Sequence, residues 1–208
     1  MLLPLVVCCS PDSESGATPA SDRLLAEVRE ELDGSSGEDR RLIRGLTFGM
    51  TPAELSDHCR ARNQAGEFRN GFGFAVAIVP DSTHPQPDLR SEFYPVADPG
   101  GLRHFTGTIA HRQWSPWNRA VVPDSILREA AALLAYELST GDFRELAGAT
   151  VPTLYRQDGA RLAYVRPTDQ QYVDFAVDDL AAVDDLEGYL TDLLAGPAAA
   201  TYPTDRPQ

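Results

Sequence analysis

The chain has 208 residues, a formal net charge of −13 at pH 7 and an isoelectric point near 4.6. A protein of this charge repels nucleic-acid phosphates and anionic membrane surfaces, so nucleic acid is not an expected partner. All 18 basic residues are arginine, which excludes lysine Schiff-base catalysis, a serine–lysine dyad and a phosphate-binding loop lysine.

The first twenty residues have the layout of a bacterial lipoprotein signal. An apolar run at 1–7 precedes Cys8 and Cys9, and a linker rich in serine, proline and aspartate extends to residue 20. An apolar segment, a cysteine and a flexible linker in this order predict a lipid anchor on Cys8 or Cys9. The apolar run is short and no basic residue precedes it. Two other interpretations therefore stay open: a frayed cytoplasmic N-terminus with incidental thiols, and a vicinal redox or metal pair.

Two helices are expected before the first strand. Residues 21–39 are assigned as a short amphipathic helix and a linker, because leucine and valine recur at helical spacing over 21–32. The sequence leaves open whether this helix lies against the folded domain. A second helix is predicted over 51–65, since Thr51 and Glu54 have the spacing of a capping box and Pro52 stands at the first helical position. Gly49 suits a turn with positive φ just before it.

The remainder of the chain predicts one α+β domain over 40–196. Apolar and alternating stretches predict six strands, at 73–79, 89–96, 102–114, 151–157, 161–166 and 171–177. Apolar stripes predict further helices over 123–140 and 184–195. The order is helix, three strands, helix, three strands, helix. It predicts one antiparallel sheet with helices packed on one face. The small, polar tail at 197–208 is expected to be disordered.

Four short motifs together resemble uncharacterised lipoproteins of Bacteroidota-type bacteria. They are residues 48–54, 92–95, 114–118 and 172–175, which read FGMTPAE, EFYP, WSPWN and YVDF. More distantly, the helix start at 49–54 looks like that of small outer-membrane lipoproteins of the SmpA/OmlA type, whose α+β fold also resembles the β-lactamase-inhibitor repeat. The resemblance implies binding to other proteins and no known catalytic residues or cofactor. This domain has about twice the elements of one such unit.

Aromatic residues are the candidate binding groups. Trp114 and Trp117, with Tyr94 near them, are a hypothetical platform for a glycan or a proline-rich peptide. The alternative is that they seal the end of the sheet, in which case Trp117→Ala lowers thermal stability.

Three patterns that invite a catalytic or metal assignment fail on geometry. Residues 56–59 read Ser-Asp-His-Cys, but consecutive helical residues point about 100° apart and cannot form a triad. The aspartate pairs at 178–179 and 184–185 lack the spacing of a calcium loop, and we expect them to cap helices and hydrate the surface. His104 and His111 are seven residues apart on a strand, so they face opposite sides. No catalytic residue, metal or cofactor is therefore assigned.

These observations favour a lipid-anchored cell-envelope protein, at the outer membrane or periplasmic face. Its domain is expected to be a non-catalytic binding or assembly module for another envelope protein or a glycan. The alternatives are a soluble cytoplasmic interaction or accessory protein and an enzyme with an unrecognised site.

Overall fold

The computed structural model describes residues 19–35, 40–71, 75–80, 84–115, 117–168 and 171–196. Its helices are α1 (Ala20–Asp33), α2 (Pro52–Gln64), α3 (Pro123–Leu138) and α4 (Leu186–Ala195). Its strands are β1 (Phe68–Asn70), β2 (Val76–Ile78), β3 (Leu89–Asp98), β4 (Gly101–His111), β5 (Arg144–Glu145), β6 (Leu154–Asp158), β7 (Arg161–Pro167) and β8 (Val173–Asp179). The described residues do not include Cys8, Cys9 or the tail at 197–208. They also do not include residues 73 and 74 of the first predicted strand, and the rest of that strand contains β2.

The eight strands form a single antiparallel sheet in the order β1-β2-β3-β4-β8-β7-β6-β5. Each half consists of one helix followed by four strands, and the halves join where β4 pairs with β8. The predicted α+β class and the antiparallel sheet are confirmed, whereas the predicted order of three strands per half is wrong. The two missed strands, β1 and β5, have three and two residues, too few to show the alternation by which a strand is recognised.

Helices α2 and α3 pack on one face of the sheet, over the larger of two apolar clusters. Phe93, Phe105 and Phe175 lie at its centre with at most 1% exposure. With Phe68 they form a series of edge-to-face ring contacts, with centroids 5.5–6.0 Å apart, which adds to the stabilisation by area burial. Gly107 of β4 lies beneath them, and a Cβ atom there would stand 2.4 Å from the Phe175 ring. The close packing of this ring on the backbone therefore requires glycine.

Helices α1 and α4 pack on each other and on the opposite face of the sheet. The alternation along β7 shows this directly, because Ala163 and Val165 join the larger cluster while Leu162 and Tyr164 join the smaller one. The prediction that all helices share one face is therefore wrong, since it holds for α2 and α3 only. The sequence missed this because a strand buried on both sides carries no pattern that says which helix covers which side.

Helix α1 is part of the folded body, which the sequence had left open. Val28 is fully buried, and the side-chain amide of Gln157 on β6 donates a hydrogen bond of 3.1 Å to its carbonyl. Arg144 of β5 pairs with Glu27 of α1 at 2.9 Å. These contacts fix α1 against β6 and beside α4.

The segment at 49–54, where α2 begins, contacts the start of β4. The predicted capping box is confirmed, because Glu54 N–H donates to Thr51 Oγ1 at 3.3 Å and Thr51 N–H donates to Glu54 at 2.9 Å. Gly49 has a φ of 86° and donates to the carbonyl of Leu102, at the start of β4. A Cβ atom on Gly101 would stand 2.7 Å from the Gly49 carbonyl oxygen. The two backbone segments can therefore lie this close only because residue 101 has no side chain.

Candidate functional site

One half of a sheet face has no helix over it within the described residues. On β3, Leu89, Ser91 and Phe93 are buried, whereas the residues that alternate with them point away from α2 and α3. We call the side chains of β1, β3 and β4 that point this way the open half-face. They are Arg69, Arg90, Glu92, Tyr94, Val96, Asp98, His104, Thr106 and Thr108. The other half of the same face lies under α1 and α4.

The centre of the open half-face is one row of paired residues that runs across the sheet. Tyr94 pairs with Thr106, Thr106 with Ala176, and Ala176 with Tyr164. Each half of the sheet thus has one tyrosine on the strand next to the central β4–β8 pair, Tyr94 on β3 and Tyr164 on β7. Tyr164 packs against the cluster under α4, whereas Tyr94 is 37% exposed and Val96, on the same side of β3, is 70% exposed. The fold covers one tyrosine and leaves its counterpart open.

Three polar side chains mark the boundary between the covered and open halves. His104 of β4 pairs in register with Asp178 of β8, and its Nδ1 is hydrogen-bonded to the Asp178 carboxylate. The hydroxyl of Tyr189 on α4 donates to the other carboxylate oxygen at 2.6 Å. The side chain of Asp178 is 7% exposed, while that of His104 is 55% exposed. The buried carboxylate therefore joins a strand and a helix to an imidazole that faces solvent.

This arrangement favours the cationic form of His104. The hydrogen bond to Asp178 raises the pKa of His104 above its ordinary value, although burial acts in the opposite direction. Burial raises the pKa of Tyr189, and the charge of Asp178 raises it further, so Tyr189 remains a neutral donor. An imidazole held by a carboxylate through Nδ1 has the orientation of a general base, but it can accept a proton only in its neutral form. Within the described residues no hydroxyl or thiol is hydrogen-bonded to it, so the pair has no nucleophile there to activate.

Charged groups of both signs lie on and around the open half-face. Arg69 and Arg90 lie on this half-face. Arg166 of β7 lies at its border, because it pairs with Asp174 of β8, which in turn pairs with Thr108 of β4. Arg166 stacks over Tyr164 at 5.2 Å, and its buried Nε has no acceptor within the described residues. The acidic groups there are Glu92, Asp98, Asp174 and Asp178, of which Asp178 pairs with His104.

The structure separates the three aromatic residues that the sequence suggested as a binding platform. Tyr94 lies opposite Thr106, five residues or about 17 Å before the end of β4, whereas both tryptophans follow that end. Trp114 is half-buried, and its indole N–H has no acceptor within the described residues. Trp117 is 90% exposed, so the interpretation that it seals the sheet is wrong. Of the three, Tyr94 alone lies on the open half-face.

The side chains of residues 56–59 have separate partners. Asp57 pairs with Arg60 on the surface at 3.0 Å, and His58 Nε2 lies 3.1 Å from the carbonyl oxygen of Arg44. Cys59 packs against the larger cluster, where burial raises the pKa of its thiol. A half-buried thiol with a raised pKa that packs on the core is a packing residue.

The two aspartate pairs have the predicted environments only in part. Asp185 caps α4 by accepting from Gly188 N–H at 2.9 Å, and Asp179 caps the turn that follows β8, as expected of capping residues. Asp178 does not hydrate the surface, because it is buried and its carboxylate pairs with His104 and Tyr189. In the part of the chain that the structure describes, no three histidine, cysteine or acidic side chains lie close enough to hold a metal ion.

Two further charged clusters connect segments that are distant in the sequence. Arg44, in the left-handed region with a φ of 51°, makes two hydrogen bonds of 2.9 Å to Glu137 of α3. His84 contacts the same carboxylate at 3.4 Å, and the side chains of Glu137 and His84 are 3% and 2% exposed. This cluster is fully occupied by its own members, so we assign it a structural role.

The second cluster lies at the C-terminal end of α3. Arg161 donates to the carbonyl of Leu138 at 3.2 Å and to Asp158 at 2.7 Å. Burial opposes ionisation of Asp158, but hydrogen bonds from Thr140, Arg161 and Arg156 together lower its pKa. An open cavity of about 530 Å³ lies beside these residues. Because their donors and acceptors already pair with one another, this cluster holds the β6–β7 hairpin to the helix.

The sequence did not predict that His104 pairs with Asp178. They are 74 residues apart, and the pairing of β4 with β8 alone brings them together. The one available signal was the alternation of Asp174, Ala176 and Asp178 on β8, which places a carboxylate on the face opposite Val177.

Comparison of the chain with protein-family models, curated proteins and solved structures found no match. None of the described helices has both the length and the apolar character needed to cross a membrane.

Proposed function

We propose that this chain is a lipid-anchored protein of the cell envelope whose α+β domain is a binding or assembly module. The partner is another envelope protein, and it contacts the open half-face. The single observation that carries this proposal is the exposure of Tyr94 and Val96 on a face that helices cover in the other half of the sheet. Exposed aromatic and aliphatic side chains within a polar rim are typical of interaction surfaces.

The proposed anchor rests on the N-terminal sequence. Cys8 and Cys9 follow an apolar segment and precede a linker rich in small and polar residues, which is the order of a lipoprotein signal. We expect the native protein to carry a diacylglyceryl group on one of these cysteines. Intact-mass spectrometry of the protein from its own host tests this. Retention of Met1 with both thiols free would instead favour the soluble cytoplasmic alternative.

Photo-crosslinking in the native host tests the proposed surface. We expect benzoylphenylalanine at position 96 to give one discrete protein adduct, because this side chain points outward from the open half-face. The control position is Arg128 of α3, whose side chain is 78% exposed and lies away from that face. The proposal requires the adduct to be absent from the control and to disappear with Tyr94→Asp. No adduct at position 96, or the same adducts at both positions, contradicts it.

A further inference from the structure

A cavity of about 600 Å³ lies at the β5 edge of the sheet, between the start of α3 and the segment 146–153 that connects β5 to β6. Small-molecule sites have volumes of about 300–1,000 Å³, so this cavity has the size of one. Its lining joins the two apolar clusters, because Leu127 and Leu154 belong to the larger one while Leu146 and Ala149 belong to the smaller one. None of the described residues that line it belongs to the open half-face.

Backbone hydrogen bonds hold the wall of the cavity that lies opposite α3. The N–H of Leu146 donates to the carbonyl of Thr153 at 2.9 Å, which closes the connecting segment into a loop. The N–H of Thr150 donates to the carbonyl of Leu194 at 2.9 Å and ties this loop to the end of α4. The cavity is therefore preformed, and a ligand that enters it does not have to order the loop.

The floor of the cavity is apolar. Leu127, Leu146 and Leu154 are at most 8% exposed, and Val151 and Pro152 complete the apolar part of the lining. An apolar group that lies on this floor removes its own surface and that of the floor from water, which favours binding. The floor therefore fits the apolar body of a ligand but does not determine its charge.

The charged side chains that line the cavity are mainly acidic. Among the described residues, three carboxylates line it, those of Asp124, Glu129 and Glu145, and one guanidinium, that of Arg128. Arg128 pairs with Glu145 at 2.7 Å, whereas neither Asp124 nor Glu129 has an ion-pair partner in the part of the chain that the structure describes. The dipole of α3 partly offsets Asp124, which lies in its first turn. Glu129 is therefore the principal uncompensated charge at the cavity.

We propose that this cavity binds a small organic cation, whose apolar body lies on the leucine floor and whose ammonium or guanidinium group lies near Glu129. A cation is favoured over an anion because the guanidinium of Arg128 is already paired, and the net charge of −13 on the chain acts in the same direction. Exposed carboxylates contribute little each, so the floor supplies most of the affinity and the carboxylates supply the selectivity. This inference goes beyond the proposed function, since it concerns a different surface and a different class of ligand.

Three probes that share one apolar body test the inference on the full chain. They are hexylammonium, hexanol and heptanoate, which carry a positive charge, no charge and a negative charge. Each probe is titrated into the isotopically labelled protein, and amide chemical shifts are followed by NMR. We expect saturable shifts in the segment 146–153 and at the start of α3. The cation should bind about threefold to tenfold more tightly than the alcohol, the carboxylate should bind most weakly, and added salt should reduce these differences.

Protein variants separate the contribution of charge from that of the floor. Glu129→Gln should reduce the preference for the cation over the alcohol about twofold to fivefold and leave binding of the alcohol unchanged. Arg128→Gln should instead tighten binding of the cation about twofold, because it leaves Glu145 without its partner. Val151→Thr should weaken binding of all three probes by a similar factor, since it adds a hydroxyl to the apolar lining. Glu187→Gln, on the exposed surface of α4, is the matched control and should change none of them.

Several outcomes would overturn this inference. They are the absence of saturable shifts in the lining, equal affinity for the three probes, and a preference for the carboxylate. An equal effect of Glu129→Gln and Glu187→Gln also overturns it, because the preference would then reflect only the net charge of the chain. The tail begins after Gly196, which lies beside Val151. If Arg206→Ala tightens binding of the cation about tenfold, the arginine of the tail competes for the cavity, and the assignment to a free ligand is overturned. Failure of the crosslinking at position 96 overturns the proposed function and leaves this inference standing.

Discussion

The ion pair between Arg44 and Glu137 offers the sharpest test of how this fold is held together. The Glu137 side chain is 3% exposed and that of Arg44 is 17% exposed, and they share two hydrogen bonds of 2.9 Å. Glu137→Gln keeps the size of the side chain and removes its charge. The guanidinium of Arg44 is then held in a largely buried position without a counter-charge.

The expected loss of stability follows from that burial. Removing one partner of a buried pair costs about 3–5 kcal/mol, because the remaining charge is desolvated and uncompensated. The partial exposure of Arg44 places the expected value near the lower end, at about 3 kcal/mol. For a domain of this size this corresponds to a decrease in Tm of about 6–12 °C.

A double-mutant cycle followed by urea denaturation measures this effect. Arg44→Met alone leaves the buried carboxylate without its cation and should also cost about 3 kcal/mol. The combination with Glu137→Gln leaves no uncompensated charge, and the amide can still accept from His84. We therefore expect the double variant to be more stable than either single variant.

A matched surface pair provides the control. Arg128 and Glu145 pair at 2.7 Å, but their side chains are 78% and 73% exposed, so Glu145→Gln should change stability by less than about 0.5 kcal/mol. Two results refute the reasoning about burial. One is a loss of less than about 1 kcal/mol for Glu137→Gln, and the other is simple additivity of the two single variants.

Three further variants test local features of the backbone and surface. Gly107→Ala places a Cβ atom 2.4 Å from the Phe175 ring, so it should lower the free energy of unfolding by about 2–3 kcal/mol. The control is Thr106→Ala, on the exposed side of the same strand. An unchanged melting temperature for Gly107→Ala would contradict this prediction. Ser139→Gly should raise stability by about 0.5–1 kcal/mol in urea titrations, because Ser139 has a φ of 53°. Ser56→Gly inside the exposed part of α2 should instead lower stability by a similar amount. Trp117→Ala should change the free energy of unfolding by less than about 0.5 kcal/mol, since this side chain is 90% exposed. A larger loss in calorimetry would show that it packs.

Features that depend on neighbouring residues were predictable from the sequence. The capping box of Thr51 and Glu54 fixes the start of α2, because both of its hydrogen bonds join residues three apart. The apolar stripe of α3 and the hairpin at Gly159 are equally local, and both form close to the predicted positions. Strands β1 and β5 were missed because their pairing, and not their sequence pattern, defines them.

The candidate site was only partly predictable. Tyr94 was named from its residue type, and it lies on the open half-face, although away from the two tryptophans. The pairing of His104 with Asp178 was not predicted, because a histidine on a strand and an aspartate before a turn have no distinctive spacing. Asp178 was interpreted as a surface residue because of its acidic neighbours, whereas the register of β8 directs it beneath Tyr189.

The sequence by itself determined the α+β class, the local starts of the helices and the alternation that gives each strand two different sides. Alternation states that a strand has two sides, but not what covers them. That choice depends on contacts between residues far apart in the chain. Only the tertiary structure, by pairing β4 with β8 and placing α1 and α4 over one half, decided that Tyr164 is covered while Tyr94 faces solvent.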